Sequence, residues 1–99
     1  MAVKDNVLRG RILMFLRDLF PQGTDRLTVV GIYYEYYRSD VIVDALEYLV
    51  SKGYVNKREV PHPARKLETL ATYTINAVGI DLCDGTTRDP GVTIVPEEV

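Results

Sequence analysis

The sequence predicts a small α+β domain in which three helices precede a two-stranded β ribbon and a further helix closes the fold. Three features of the chain point there. Leu8, Ile12, Phe15, Leu16 and Leu19 recur at helical spacing and form one apolar stripe. A second apolar run ends at Gly53 and passes directly into Tyr54 and Val55, a helix stop followed by strand formers. Leu67 to Ile75, rich in Thr, Tyr and Leu, then follows a loop that contains Pro61 and Pro63.

Ninety-nine residues with 46% hydrophobic content suffice for one core, although at this size so little surface is buried that pairing with a second copy helps. The apolar runs Ile12 to Leu16 and Val41 to Val43 break off well short of the roughly 20 residues a bilayer requires. Met1 to Asn6 lacks the charged region and apolar stretch of a signal peptide, which predicts a cytoplasmic protein. Cys83 is the only cysteine. It excludes an internal disulfide and a multi-cysteine zinc site, and reads as a small core hydrophobe. The formal charge of −2 excludes a grip on nucleic acid through overall positive charge, so any such binding must be local.

Taken in order, Val3 to Phe20 forms the first helix, which Pro21, Gln22 and Gly23 end. Leu27 makes a short extended contact leading into a second helix, with Thr28 as N-cap and Val29, Ile32, Tyr33, Tyr36 and Tyr37 as apolar positions, ending near Arg38. Ser39 caps a third helix whose buried side is Ile42, Ala45, Leu46 and Leu49, and Gly53 closes it through positive φ. Tyr54 to Val60 and Leu67 to Ile75 are strands, joined by an open loop at Pro61, His62, Pro63 and Ala64. Asn76 caps a last helix through Val78, Ile80, Leu82 and Cys83, ending at Gly85. Residues 1–85 thus make the domain. Residues 86–99 form an arm, ordered or serving as a partner strand, with Asp89, Pro90 and Gly91 before the apolar run Val92 to Val95 and Pro96. Repeats and low-complexity segments are absent from the sequence.

This order, and above all the run S-D-V-I-V-D-A-L-E-Y-L-V-S-K-G-Y-V from Ser39 to Val55, resembles the winged-helix superfamily, most nearly the small bacterial MarR-, ArsR- and PadR-like regulators. The closing T-I-N-A-V-G-I-D-L-C-D-G and D-P-G-V are similar to short phage and prophage winged-helix proteins of unknown role. The resemblance implies an α+β winged helix-turn-helix: a three-helix core, a two-stranded β wing and a C-terminal helix. It also implies that the third helix enters the major groove of double-stranded DNA while the wing touches the backbone or minor groove. Asp40, Val41, Val43, Asp44 and Glu47 would then form the recognition-helix face. Asp40 to Lys52 holds three acids and one lysine, poor anchors against phosphates even though a carboxylate can accept from cytosine. The wing differs: Lys57, Arg58, Arg65 and Lys66 against Glu59 give +3 from Asn56 to Lys66. With His62 at the tip and Arg38 and Lys52 at helix ends, these are the candidate DNA contacts. The resemblance further implies a homodimer through the first helix, where Val7 and Met14 lie roughly opposite the main stripe and Leu13 and Phe20 flank its edge.

Tyr33, Tyr34, Tyr36 and Tyr37 offer stacking surfaces or a partner's hot spot, or else they pack inward. Helical spacing turns Tyr33 with Tyr36, or Tyr36 with Tyr37, toward the core and leaves one or two exposed; Tyr34 and Tyr37 are the candidate contacts to a protein partner. His62 meets a phosphate when charged or is simply solvated. His62, Asp81, Cys83 and Asp84 lack metal-ligand spacing. One histidine leaves no Ser, His and acid set, and Gly-rich phosphate loops are absent, so neither enzyme nor cofactor chemistry is expected. Two functions remain: a DNA-binding regulator acting through its basic wing, or a winged-helix interaction module of phage or assembly type that does not bind DNA.

Overall fold

The computed structural model describes residues 5–95. The helix start expected at Val3, the first part of the Met1 to Asn6 leader, and Pro96 to Val99 of the expected arm lie outside the described residues. The elements are α1 (Asp5–Leu19), β1 (Thr24–Asp25), α2 (Arg26–Tyr33), α3 (Ser39–Ser51), β2 (Val55–Pro61), β3 (Thr69–Ile75) and α4 (Ala77–Cys83). The strands form one antiparallel sheet in the order β1-β3-β2, so the expected ribbon carries a short third strand. No helix among the described residues is long and apolar enough to cross a membrane.

The core is built from Leu8, Ile12, Leu13 and Leu16 of α1, Val29 of α2, Ile42, Ala45, Leu46 and Leu49 of α3, and Val55, Tyr73 and Ile75 of the sheet. α1 packs against α3, α4 and β3 together, so it needs an apolar face wider than one stripe. Leu13 supplies the extra width and is fully buried, whereas Phe15 is only half-buried. Leu13 is therefore enclosed by its own chain, and the dimer role expected of it does not stand.

Asp25, not Thr28, caps α2. Its carboxylate accepts the Thr28 backbone N–H at 3.3 Å and the Thr28 hydroxyl, a placement that the positive end of the helix favours. Pairing of Asp25 with Thr72 in the sheet holds the cap extended. The extended contact expected at Leu27 thus falls two residues earlier, and Leu27 sits on α2, 69% exposed. α2 stops at Tyr33, sooner than the expected Arg38, and the chain turns through Tyr34 to Tyr36 with the Tyr36 N–H donating to the Tyr33 carbonyl at 3.0 Å. The turn keeps Tyr33 and Tyr37 against the core and leaves Tyr34 and Tyr36 at 62% and 76% exposure. Tyr36, not Tyr37, is therefore the aromatic available beside Tyr34, and Ile32 also faces outward.

Arg38 is the N-cap of α3 and contributes no side-chain capping bond, so Ser39 is the first helical residue and not the cap. At the other end Gly53, at φ +83°, closes the helix as expected. Its N–H donates to the Val50 carbonyl and that of Tyr54 to the Leu49 carbonyl, a Schellman pair. Because the Tyr54 amide is spent on α3, β2 starts at Val55. The loop after β2 is closed by the His62 N–H on the Glu68 carbonyl at 2.9 Å, which delays β3 to Thr69 and leaves Leu67 fully exposed. Asn76 caps α4 by accepting the Gly79 N–H at 3.1 Å.

Beyond α4 the chain returns to α1. Val92 is buried in the core, the Thr93 N–H donates to the Asn6 carbonyl at 2.9 Å, and the Asn6 side-chain amide donates to the Thr93 hydroxyl at 2.8 Å. Gly10 makes this possible, since a methyl group there would overlap the Thr93 carbonyl. Gly31 on α2 has open space around the same position. Gly10→Ala is expected to destabilise the fold by about 1–3 kcal/mol through overpacking, and Gly31→Ala to stabilise it by about 0.5–1 kcal/mol through helix propensity. Urea unfolding of the two variants checks both; equal effects would show that the returning segment does not rest on Gly10.

Candidate nucleic-acid interface

β2 and β3 extend away from the core as a ribbon, in register from Val55 opposite Ile75 to Pro61 opposite Thr69. Side chains alternate between the two faces of such a ribbon. Val55 and Lys57 therefore share the inner face with Ile75 and Tyr73, and Arg58 lies on the outer face opposite Thr72. The inner face of the ribbon and the outer face of α3 border one surface.

Glu47 lies where they meet. Its carboxylate accepts the Tyr73 hydroxyl at 2.8 Å, Arg26 Nη2 at 3.3 Å and Lys57 Nζ at 3.1 Å. Arg26 also donates to the Tyr73 hydroxyl, from Nε at 3.1 Å and from Nη2 at 2.9 Å. Desolvation opposes ionisation of Glu47, but the bonds from Tyr73 and Lys57 and the charges of Lys57 and Arg26 outweigh it and hold the carboxyl below its ordinary value. Burial, then the bond to Glu47, pushes the Tyr73 hydroxyl up. Glu47 is thus an internal partner and not a free member of the recognition face. Arg26 escaped the sequence reading because only the packing of α2 on α3 brings it to Glu47.

The other expected basic residues are distributed unevenly. Arg38 pairs with Asp40 at 3.1 Å, Lys52 with Asp89 at 3.5 Å and Arg65 with Glu68 at 3.2 Å. Arg58 and Lys66 have no ion-pair partner among the described residues. Glu68, three residues beyond Arg65, also reduces the ribbon's charge from +3 to +2, since four cations now stand against Glu59 and Glu68. His62 faces into the loop, where its Nδ1 accepts the Ala64 and Arg65 N–H groups at 3.0 and 3.1 Å. On α3, Asp40 is exposed and Val43 half-exposed on the outer side, while Val41 and the exposed Asp44 border a small cleft shared with Asp5 and Arg9 of α1.

The chain resembles the crystal structure of Bacillus subtilis PadR in complex with operator DNA, with a TM-score of 0.64 and 21% identity over 94% of this chain. The chain has the winged-helix fold. It spans about half of the PadR chain, 52% of its length. No protein-family model and no curated protein matches the chain. In winged-helix terms, the β2–β3 ribbon is the wing and α3 is the helix that precedes it. Among the described residues no group of three or more His, Cys, Asp or Glu side chains is placed to hold a metal ion.

Behind the wing, a second polar node fixes the segment that follows α4. Asp89 accepts the Tyr54 hydroxyl, the Gly91 N–H at 2.8 Å and Lys52 Nζ. The Tyr54 bond and the Gly91 amide hold Asp89 below its ordinary value, while burial and Asp89 push the Tyr54 hydroxyl up to about 12. Cys83 is half-buried against the core, and desolvation followed by the charge of Asp84 raises its thiol to about 11.

These directions fix the pH response. Asp89 and Glu47 contribute stability that is present above the ordinary carboxylate range, near about 4, and is lost as pH falls through their depressed values. Tyr54 contributes stability that is present below the ordinary tyrosine value of about 10 and is lost as pH rises toward about 12. Urea midpoints should therefore be flat from about pH 5 to 9 and fall on both sides. Asp89→Asn should flatten part of the acid limb; an unchanged limb would contradict the role given to Asp89.

Proposed function

We propose that the protein is a DNA-binding winged-helix protein of regulator type that acts as a cytoplasmic homodimer and contacts duplex DNA through its wing. The observation that carries this reading is the shared fold with PadR, captured on operator DNA, together with Arg58 and Lys66 left without internal partners on the wing. Arg65, Lys57, Arg38 and Lys52 must exchange an internal carboxylate for a phosphate, and so contribute less. The reading needs no catalytic step and no cofactor.

Its binding should be weak and strongly dependent on salt. Anisotropy titrations on random duplex DNA at low salt should give dissociation constants on the order of micromolar, with a loss of roughly one unit of log–log salt slope per phosphate contact removed. Arg58→Glu with Lys66→Glu should abolish that binding. Undiminished affinity in the double variant would refute the wing as the contact surface.

The dimer is proposed to form through α1. Val7, Arg11, Met14 and Asp18 follow one another at helical spacing, and Arg11, Met14 and Asp18 line a cleft of about 390 Å³ closed by Phe15, Tyr33 and Val95. Arg11 and Asp18 stand at equal distances on either side of Met14 and Phe15. An antiparallel α1 from a second copy therefore matches each Arg11 with the partner's Asp18, as a two-fold interface requires. Phe20, exposed at the end of α1, extends the apolar margin. Arg11→Glu should convert the dimer to monomer in sedimentation equilibrium, and adding Asp18→Lys should restore it; a dimer indifferent to both changes lies elsewhere.

A second reading is favoured by Tyr34 and Tyr36, exposed together at the end of α2 beside Ile32. In it the domain is a protein interaction module, with this aromatic patch as the anchor. Absence of any DNA shift at tens of micromolar protein and low salt would select it, because non-specific DNA binders are visible there.

A further inference from the structure

We propose that the surface between α3 and the wing contains a phosphate site already filled by the chain's own carboxylate, so that Glu47 competes with DNA and sets its affinity low. This rests on the DNA-binding reading above.

The geometry is that of an anion site. An ammonium from β2, a guanidinium from the start of α2 and a hydroxyl from β3 converge on a single oxygen, Glu47 Oε2, at 3.1, 3.3 and 2.8 Å. Lys57 also reaches the second oxygen at 3.2 Å. Two cations and a neutral donor around one oxyanion are what phosphate recognition uses. The site is not sealed, since the side chains of Arg26, Glu47 and Lys57 retain 36%, 39% and 29% of their exposure. An ion pair this exposed contributes little by itself, so a backbone phosphate, a monoanion like the carboxylate but one of a closely spaced row that releases counterions when it binds, can compete for the two cations. The cost is a carboxylate released toward the DNA, close to Asp44 on the same face of α3. Glu47 therefore removes two cations from the phosphate-binding total and adds a repulsive charge whenever they are recruited.

Arg26 is held by Tyr73 of β3 as well as by Glu47, so its position is set before DNA arrives, and Lys57 is brought beside it by the register of β2 with β3. Removing the charge of Glu47 while keeping an acceptor for Tyr73 should expose a prearranged pair. Glu47→Gln does this, because the amide oxygen still accepts the Tyr73 hydroxyl.

The test measures anisotropy of wild type, Glu47→Gln and Glu47→Gln with Lys57→Gln on the same random duplex across a salt series, with circular dichroism confirming the fold. Glu47→Gln is expected to bind roughly tenfold tighter at low salt, with a log–log slope steeper by about 1 to 2, and the added Lys57→Gln to reverse most of both. A merely structural role for Glu47 leaves the slope unchanged. If wild type binds and Glu47→Gln matches it in affinity and slope, the filled site is wrong while the wing reading stands. If neither binds, the DNA reading falls and takes this inference with it. Should Glu47→Gln not fold, Lys57→Gln in the wild-type background decides: unchanged affinity, against a clear loss in Arg58→Gln, supports a Lys57 held off the DNA, and equal losses overturn it.

Discussion

Tyr73 lies in the middle of β3, fully buried, between Thr24 of β1 and Lys57 of β2. A hydroxyl in that position has no access to bulk water and costs about 1–3 kcal/mol if left without a partner. The chain meets this constraint from outside the sheet, with an acceptor from α3 and donors from α2. Because the acceptor is ionised, it must be matched in turn, and Arg26 and Lys57 do so. One buried aromatic thus requires a polar node that fixes the start of α2, the middle of α3 and the base of the wing relative to one another. The orientation of the wing against α3 is therefore held by that node as well as by the apolar contacts beneath it.

What could be read in the sequence was what local chemistry decides. Gly53 and Gly85 each end a helix at φ +83°, and each does so with the amide pair of a Schellman turn, so both stops were visible as glycines after an amphipathic run. Asn76 was equally visible as a cap. The limits of α2 were not, because the tyrosines continue at helical spacing beyond the point where the backbone turns. Nothing local distinguishes Tyr33 and Tyr37, which pack inward, from Tyr36, which does not. The burial of Leu13 is hidden for a related reason: one stripe of apolar spacing does not show that three elements surround α1. β1 is two residues long and exists only through its pairing with β3, so no periodicity announces it.

The candidate interface was legible as charge and not as pairing. Glu68 lies three residues from Arg65 and Asp40 two from Arg38, separations short enough for the pairing to be local. Glu47 lies ten residues from Lys57 and twenty-one from Arg26, and Asp89 thirty-seven from Lys52, so only the fold brings them together. The same pairings also soften the acidic helix. Asp40 and Glu47 both have cations of their own, which leaves Asp44 as the acid of the expected recognition face without one among the described residues.

Net charge is consequently a poor guide to what this surface presents. At physiological salt an isolated charge is felt over about 8 Å, and a pair closed at 3 to 3.5 Å looks nearly neutral from that range. The formal −2 of the chain counts paired and unpaired groups alike. Arg58 and Lys66 present their charge on the wing at full strength, the paired cations present it only where their carboxylates are displaced, and Asp44 is the acid of the outer face of α3 without an ion-pair partner among the described residues. An acidic chain can therefore carry a locally cationic wing, provided that its acids are spent inside the domain. Where an acid is spent matters as much as its presence: Asp89 ties down the segment after α4 at the far end of α3, whereas Glu47 occupies the junction of α3 and the wing itself.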